Sequence, residues 1–144
     1  MSTQDVHRNI YTAKKTNSNT KLRVMIDLDG TISYDPIFFN IFTQCVAQYA
    51  DIHIVTNRKS DELEETKELL RNKGITYHYL TLTYYKAVYA KENNINIVFE
   101  DEDEFFQLMP EDVTVFKIRE THNYDWKSNR WVYSEKTGIN VEDL

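Results

Sequence analysis

Glycine, proline and cysteine are scarce in this chain, at three, two and one among 144 residues. A single cysteine, Cys45, excludes an intramolecular disulfide framework. No apolar run approaches the length of a membrane span, and the N-terminus has no apolar core of a secretory signal, so the expected location is cytoplasmic with no membrane partner. Positive charge is also short: the formal net charge of −6 argues against broad capture of nucleic acid or acidic lipid. Internal repeats and low-complexity tracts are absent. What is present is a globular composition, 41% hydrophobic and 13% aromatic, in a length that suits one domain with a real core.

Hydrophobic periodicity divides the chain. Residues 1–20 are polar and without a sustained period, and read as an N-terminal arm. The folded domain is expected over residues 21–144. Strands are expected at about residues 22–27, 52–55, 75–80, 95–99 and 113–118. Between them, Asp35 and Pro36 open a helix whose core face is expected to be Ile37, Phe38, Ile41, Phe42, Cys45 and Val46. Ser60 caps a helix that runs to Lys73 and stops at Gly74; Thr83 caps a short one to about Asn93; a brief one reaches Met109 before Pro110. The tail, residues 119–144, holds Trp126, Arg130, Trp131, Val132 and Tyr133 and suggests an extra strand or hairpin, with its aromatics in ordinary packing. Strands alternating with helices predict an α/β, three-layer Rossmann-like fold around a mostly parallel five-stranded sheet.

Residues 24–31, Val-Met-Ile-Asp-Leu-Asp-Gly-Thr, form the most informative segment. An Asp-Gly pair between apolar runs also suits a hairpin turn, but the βαβ pattern defeats that reading. As the end of a buried strand, Asp27 sits where an open α/β sheet places its ligands. A carboxylate there can hold a hard cation and attack phosphorus. Asp29, on the same side, can protonate a leaving oxygen and then deprotonate water, while Gly30 permits the turn.

In a parallel sheet the residues beyond each strand gather on one edge. Thr56, after the second strand, can donate to a phosphoryl oxygen. The helix before the fourth strand runs away from that edge, so Lys86 in its first turn can reach the site and Lys91 in its last cannot. Such a cation would stabilise charge on a transferring phosphoryl group. Glu100 and Asp101 follow the fourth strand within an acidic run that extends to Glu104. The four histidines, His7, His53, His78 and His122, show no metal-ligand spacing.

Asp27-Leu28-Asp29-Gly30-Thr31 after an apolar strand resembles the first motif of the haloacid dehalogenase-like (HAD) superfamily. Thr56, Lys86 and the pair Glu100-Asp101 resemble its second, third and fourth motifs, and the likeness covers about residues 21–119. Thr56-Asn57-Arg58 resembles a Thr-x-Arg variant, which puts Asn57 and Arg58 near the substrate mouth; a solvated loop arginine is an equal alternative. The resemblance implies Mg²⁺ held by the Asp27 side chain, the Asp29 carbonyl and the Asp101 side chain, with Glu100 behind them or acting through water; Asp103 is the alternative ligand. The short gaps after the first motif and after the third strand leave no room for an inserted cap domain. The expected activity is a magnesium-dependent phosphomonoester hydrolase working through a phospho-Asp27 intermediate. Its open mouth points to a bulky phosphorylated partner, a protein or a nucleotide-bearing end. Alternatives are a phosphate-binding regulatory module and a phosphotransferase to an acceptor other than water.

Overall fold

Val24 and Ile26 lie in one hydrophobic cluster and Met25 in another, and the second strand divides in the same way, with Ile52 and Ile54 apart from Val55. Successive strand residues point to opposite faces, so a sheet covered on both sides follows. The computed structural model describes residues 21–132. The arm expected over residues 1–20 and the end of the tail, residues 133–144, lie outside the described residues. Strands β1 (Leu22–Ile26), β2 (Ala50–Thr56), β3 (Tyr79–Leu82), β4 (Ile97–Glu100) and β5 (Thr114–Lys117) form one sheet in the order β3-β2-β1-β4-β5. Every neighbouring pair is parallel. Helices α1 (Pro36–Val46) and α2 (Leu63–Asn72) supply Phe39 and Leu70 to the first cluster, and α3 (Lys86–Glu92) supplies Ala90 to the second. This is a three-layer α/β Rossmann-like arrangement. A short α4 (Asp103–Phe106) follows β4. Among the described residues no helix is long and apolar enough to cross a membrane.

Two strands begin later than the hydrophobic pattern suggests, for the same reason. Residues 75–77 are not yet strand: the Ile75 N–H closes the end of α2 on the Leu70 carbonyl at 3.0 Å, and the Thr76 N–H donates to Thr43 Oγ1 at 3.1 Å. Ladder bonding starts with the His78 N–H on the Ile52 carbonyl at 2.9 Å. Gly74, at φ +68°, makes the left-handed turn that ends α2. After α3 the same turn is made by Asn94 at φ +52°, and the Ile95 N–H caps the helix on the Ala90 carbonyl at 2.9 Å. Ile75 and Ile95 are therefore buried apolar residues that precede their strands. The helix at residues 83–93 also starts late. Thr83 Oγ1 accepts the Tyr85 N–H at 3.1 Å, and regular helix begins at Lys86.

The face of α1 that packs on the sheet is only in part the expected one. Phe39 and Thr43 are fully buried, with Phe42 and Val46 against them, whereas Ile37, Phe38, Ile41 and Cys45 are exposed. Apolar residues surround most of this helix, so period alone does not choose a stripe. Thr43 does choose: its hydroxyl donates to the Phe39 carbonyl at 2.7 Å and accepts the Thr76 N–H, a bond that needs the buried side.

The tail forms a hairpin of β6 (Tyr124–Asp125) and β7 (Arg130–Trp131), separate from the main sheet. Its aromatics hold cations from and just after β5: Lys117 Nζ lies 3.9 Å from the Trp131 ring, and Arg119 stacks on Tyr124 and Trp126. His53 is packed between Tyr79 and Tyr89, with its Nδ1 2.7 Å from the Tyr89 hydroxyl. His78 Nδ1 accepts the Ile52 N–H at 2.9 Å.

The orientation of α1 is testable by truncation. Phe39→Ala should cost about 3–5 kcal/mol in urea unfolding, the usual range for a buried phenylalanine, and Ile41→Ala distinctly less. The reverse order would mean that the helix presents its other face to the sheet.

Candidate functional site

Ile26 ends β1 opposite Ile54 on one side and Phe99 on the other. The chain continues from β1 toward β2, while β4 arrives on the other flank. The strand order thus reverses at this point, which opens a crevice at the carboxyl edge. Asp27 is the first residue beyond. Its N–H donates to the Phe99 carbonyl at 3.1 Å, and its side chain is almost wholly buried.

The chain then leaves the sheet in a wide turn, Leu28–Ile32, closed by the Ser33 N–H on the Leu28 carbonyl at 3.0 Å. Gly30 has φ +83°, and a Cβ built on it would lie 2.0 Å from Asp101 Oδ2. Only glycine meets both demands. The bare backbone at Gly30 and the carboxylate of Asp101 therefore lie side by side. Thr31 closes the group, with Oγ1 at 3.4 Å from Asp27 Oδ2 and 3.3 Å from Asp101 Oδ1.

Lys86, the first residue of α3, enters from the side. Its Nζ donates to Asp27 Oδ1 at 2.7 Å and to Glu100 Oε2 at 2.8 Å, and the ammonium lies 4.3 Å from the Phe105 ring centre. Burial works against its charge, yet Asp27 and Glu100 outweigh that cost and push its pKa up. Lys91 is exposed and lines a separate groove of about 700 Å³ that also touches Asn96 and Pro110. Glu100 uses its second oxygen as well: Oε1 accepts the Asp101 and Glu102 N–H groups at 3.2 and 3.3 Å.

Asp27, Glu100 and Asp101 are all buried, and each offers an oxygen within 4.8 Å of the others. Lys86 offsets one negative charge of the three. The surplus is visible in the acids themselves: burial, aggravated by Asp27, pushes Glu100 and Asp101 well above the usual carboxylate range. Buried carboxylates grouped this closely could hold a metal ion. Asp103 is outside this cluster, with Oδ1 2.7 Å from Lys117 Nζ.

On the other wall, Thr56 ends β2 with a buried hydroxyl that has no hydrogen-bond partner among the described residues. Such a group suits an incoming acceptor oxygen. Asn57 is exposed at the turn that follows. Arg58 lies beside the mouth, but its guanidinium is engaged: Nε and Nη2 donate to the two oxygens of Asp29 at 3.0 and 2.8 Å, and Nη1 donates to Thr66 Oγ1 at 3.2 Å. The hydrogen bonds from Arg58 hold the Asp29 carboxyl below its usual range, although partial burial opposes them.

Beside the cluster lies a cavity of about 320 Å³, between Asp29, Gly30 and Tyr34 on one side and Asp101, Glu120 and His122 on the other. Of that second wall, sequence reasoning named Asp101 but gave Glu120 and His122 no role in the site. Asn123 ties it to the cluster, with Nδ2 donating to the Asp101 carbonyl at 3.0 Å and to the Ile118 carbonyl at 2.7 Å. The buried Glu120 carboxylate accepts the His122 N–H at 3.0 Å and lies 3.2 Å from His122 Nδ1, which raises the imidazole pKa. No spacing rule marks residues 120–123, because they reach the site through a loop after the last strand of the sheet. Comparison with family models, curated proteins and solved structures finds no match to this chain.

Two measurements probe this cluster. Lys86→Met should destabilise the fold by about 3–5 kcal/mol, the usual cost of leaving buried carboxylates without their partner; a change near zero would mean that the ammonium is not buried as described. Magnesium should raise the melting temperature of the protein by mass action. Asp101→Asn should remove that rise, and Asp103→Asn should keep it. Equal rises in both variants would put the cation elsewhere.

Proposed function

We propose that this chain is a magnesium-dependent phosphomonoester hydrolase that works through a phosphorylated Asp27, as its likeness to the HAD superfamily implies. One observation carries the reading. Asp27 stands at the reversal of strand order, gripped by a buried lysine and grouped with two further buried acids, one of which, Asp101, lines an open cavity together with Asp29.

The Asp27 and Asp101 side chains and the Asp29 carbonyl would hold the cation, which when bound would neutralise phosphoryl charge. Lys86 fixes the Asp27 carboxylate through Oδ1, leaving Oδ2 toward the Thr31 hydroxyl, which also reaches Asp101. An Asp27 oxygen forms the bond to phosphorus as the ester P–O bond breaks. The departing oxygen takes a proton from Asp29. Water then attacks the aspartyl phosphate, Asp29 takes its proton, and inorganic phosphate leaves with Asp27 restored. Thr56 would donate its hydroxyl to a phosphoryl oxygen. For Asp29 to carry a proton it must part from Arg58, and an arriving phosphate is the competing anion that can draw the guanidinium away. Residues 27–35 and 83–85 connect their strands and helices without an inserted domain, so the ester's far end stays outside. A bulky phosphoprotein or nucleotide-bearing end fits that openness.

The bidentate Arg58–Asp29 pair also favours a second reading, a phosphate-binding regulatory module in which Asp29 stays locked. Turnover separates the two. A panel of phosphomonoesters should be hydrolysed with magnesium and not in excess chelator. Asp27→Asn should abolish hydrolysis while the fold survives, and Asp29→Asn should slow it by about a hundredfold or more on poor leaving groups. Lys86→Ala should cost far more activity than Lys91→Ala. Phosphate binding without turnover across the panel would select the regulatory module.

A further inference from the structure

The catalytic reading uses the start of the wide turn after β1 and leaves the outer face of α1 unexplained. That face is strongly apolar: Ile37 is 75% exposed, Ile41 59% and Phe38 45%. Ile37, Ile41, Cys45 and Tyr49 recur every four residues, all of them exposed, and form one continuous ridge along the helix and the turn beyond it. Monomeric proteins seldom leave such a ridge uncovered.

We propose that α1 is the interface through which two copies of this chain pair about a two-fold axis. Charge argues for a second copy. Residues 36–50 carry no charged side chain in a chain of net charge −6, and the charge bordering them in the recess is the cation Lys73, so this face can meet its own image without the repulsion between acidic groups that most of the surface would bring. Shape argues likewise. A two-fold contact needs a surface that is its own complement, with projection and recess on the same patch. Phe38 projects, braced edge-on against Phe39 at 4.9 Å and stacked on Phe42 at 5.5 Å between ring centres. Beside it, a recess of about 270 Å³ lies between Pro36, Ile37, Asn40, Ile41 and Lys73. Rows spaced by four residues interdigitate when two helices cross at about −50°. Exposed Tyr34 and Tyr49 flank the helix at its two ends. Because Tyr34 also lines the mouth, the partner would stand beside the catalytic cavity.

This inference does not depend on the proposed chemistry, and its test needs no turnover. Light scattering on the full chain at micromolar concentration should give twice the 17.2 kDa monomer mass. Ile41→Glu should give the monomer mass with a native circular dichroism spectrum, whereas Val88→Glu, at an exposed site on α3, should remain a dimer. Alkylation of Cys45 should be slower in concentrated than in dilute wild-type protein. A wild-type monomer, a dimer that survives Ile41→Glu, or Cys45 reactivity independent of concentration would overturn the proposal. A monomer whose melting temperature falls in Ile41→Glu would show instead that another part of the same chain covers the ridge.

Discussion

A buried ammonium between two carboxylates is the interaction on which this structure turns. Lys86 joins the start of α3 to the ends of β1 and β4 in one step, since its two partners, Asp27 and Glu100, follow or close those central strands. None of the three could be buried alone, because an isolated charge in a protein interior costs far more than its packing returns. Together they fix where α3 must begin and at what height the two strands must end. The register Ile26↔Phe99 and the Asp27 N–H on the Phe99 carbonyl are the backbone side of the same constraint.

The pairing is deliberately incomplete in charge. Asp101 adds a third acid to a pocket with one lysine, and the fold spends further groups on keeping it there: glycine at position 30 to make room, the Thr31 hydroxyl, and Asn123 on its carbonyl. A structure that held these acids only for stability would do better with fewer of them. Three buried acids so placed could hold a metal ion, and their burial, with Asp27 beside them, pushes Glu100 and Asp101 above the usual carboxylate range.

Arg58 neutralises Asp29 at the mouth, so whatever anion enters competes with Asp29 for the same guanidinium fork. The outer face of α1 begins where the mouth ends, at Tyr34. An open site and an uncovered apolar ridge are adjacent, and a partner on one would border the other.

Local chemistry made much of this legible in advance. The unbroken apolar run at Val24–Ile26, with strands alternating with helices, pointed to a parallel sheet, Gly74 marked the end of α2, and the direction of α3 separated Lys86 from Lys91. Those features depend on neighbours a few residues apart, where the geometry of one strand or helix is enough. The tertiary structure decided the rest. It chose the Phe39–Thr43 stripe over the Ile37–Ile41 stripe, because both are apolar and only the partner at Thr76 distinguishes them. Position along the acidic run could not rank Asp101 against Asp103; Gly30 on one side and Lys117 on the other did so. Arg58 was placed at the mouth by its motif, but only the folded chain showed that Asp29 already occupies it. Glu120, His122 and Asn123 carry no pattern at all, since a loop reaches a distant strand end by three-dimensional proximity that no spacing records.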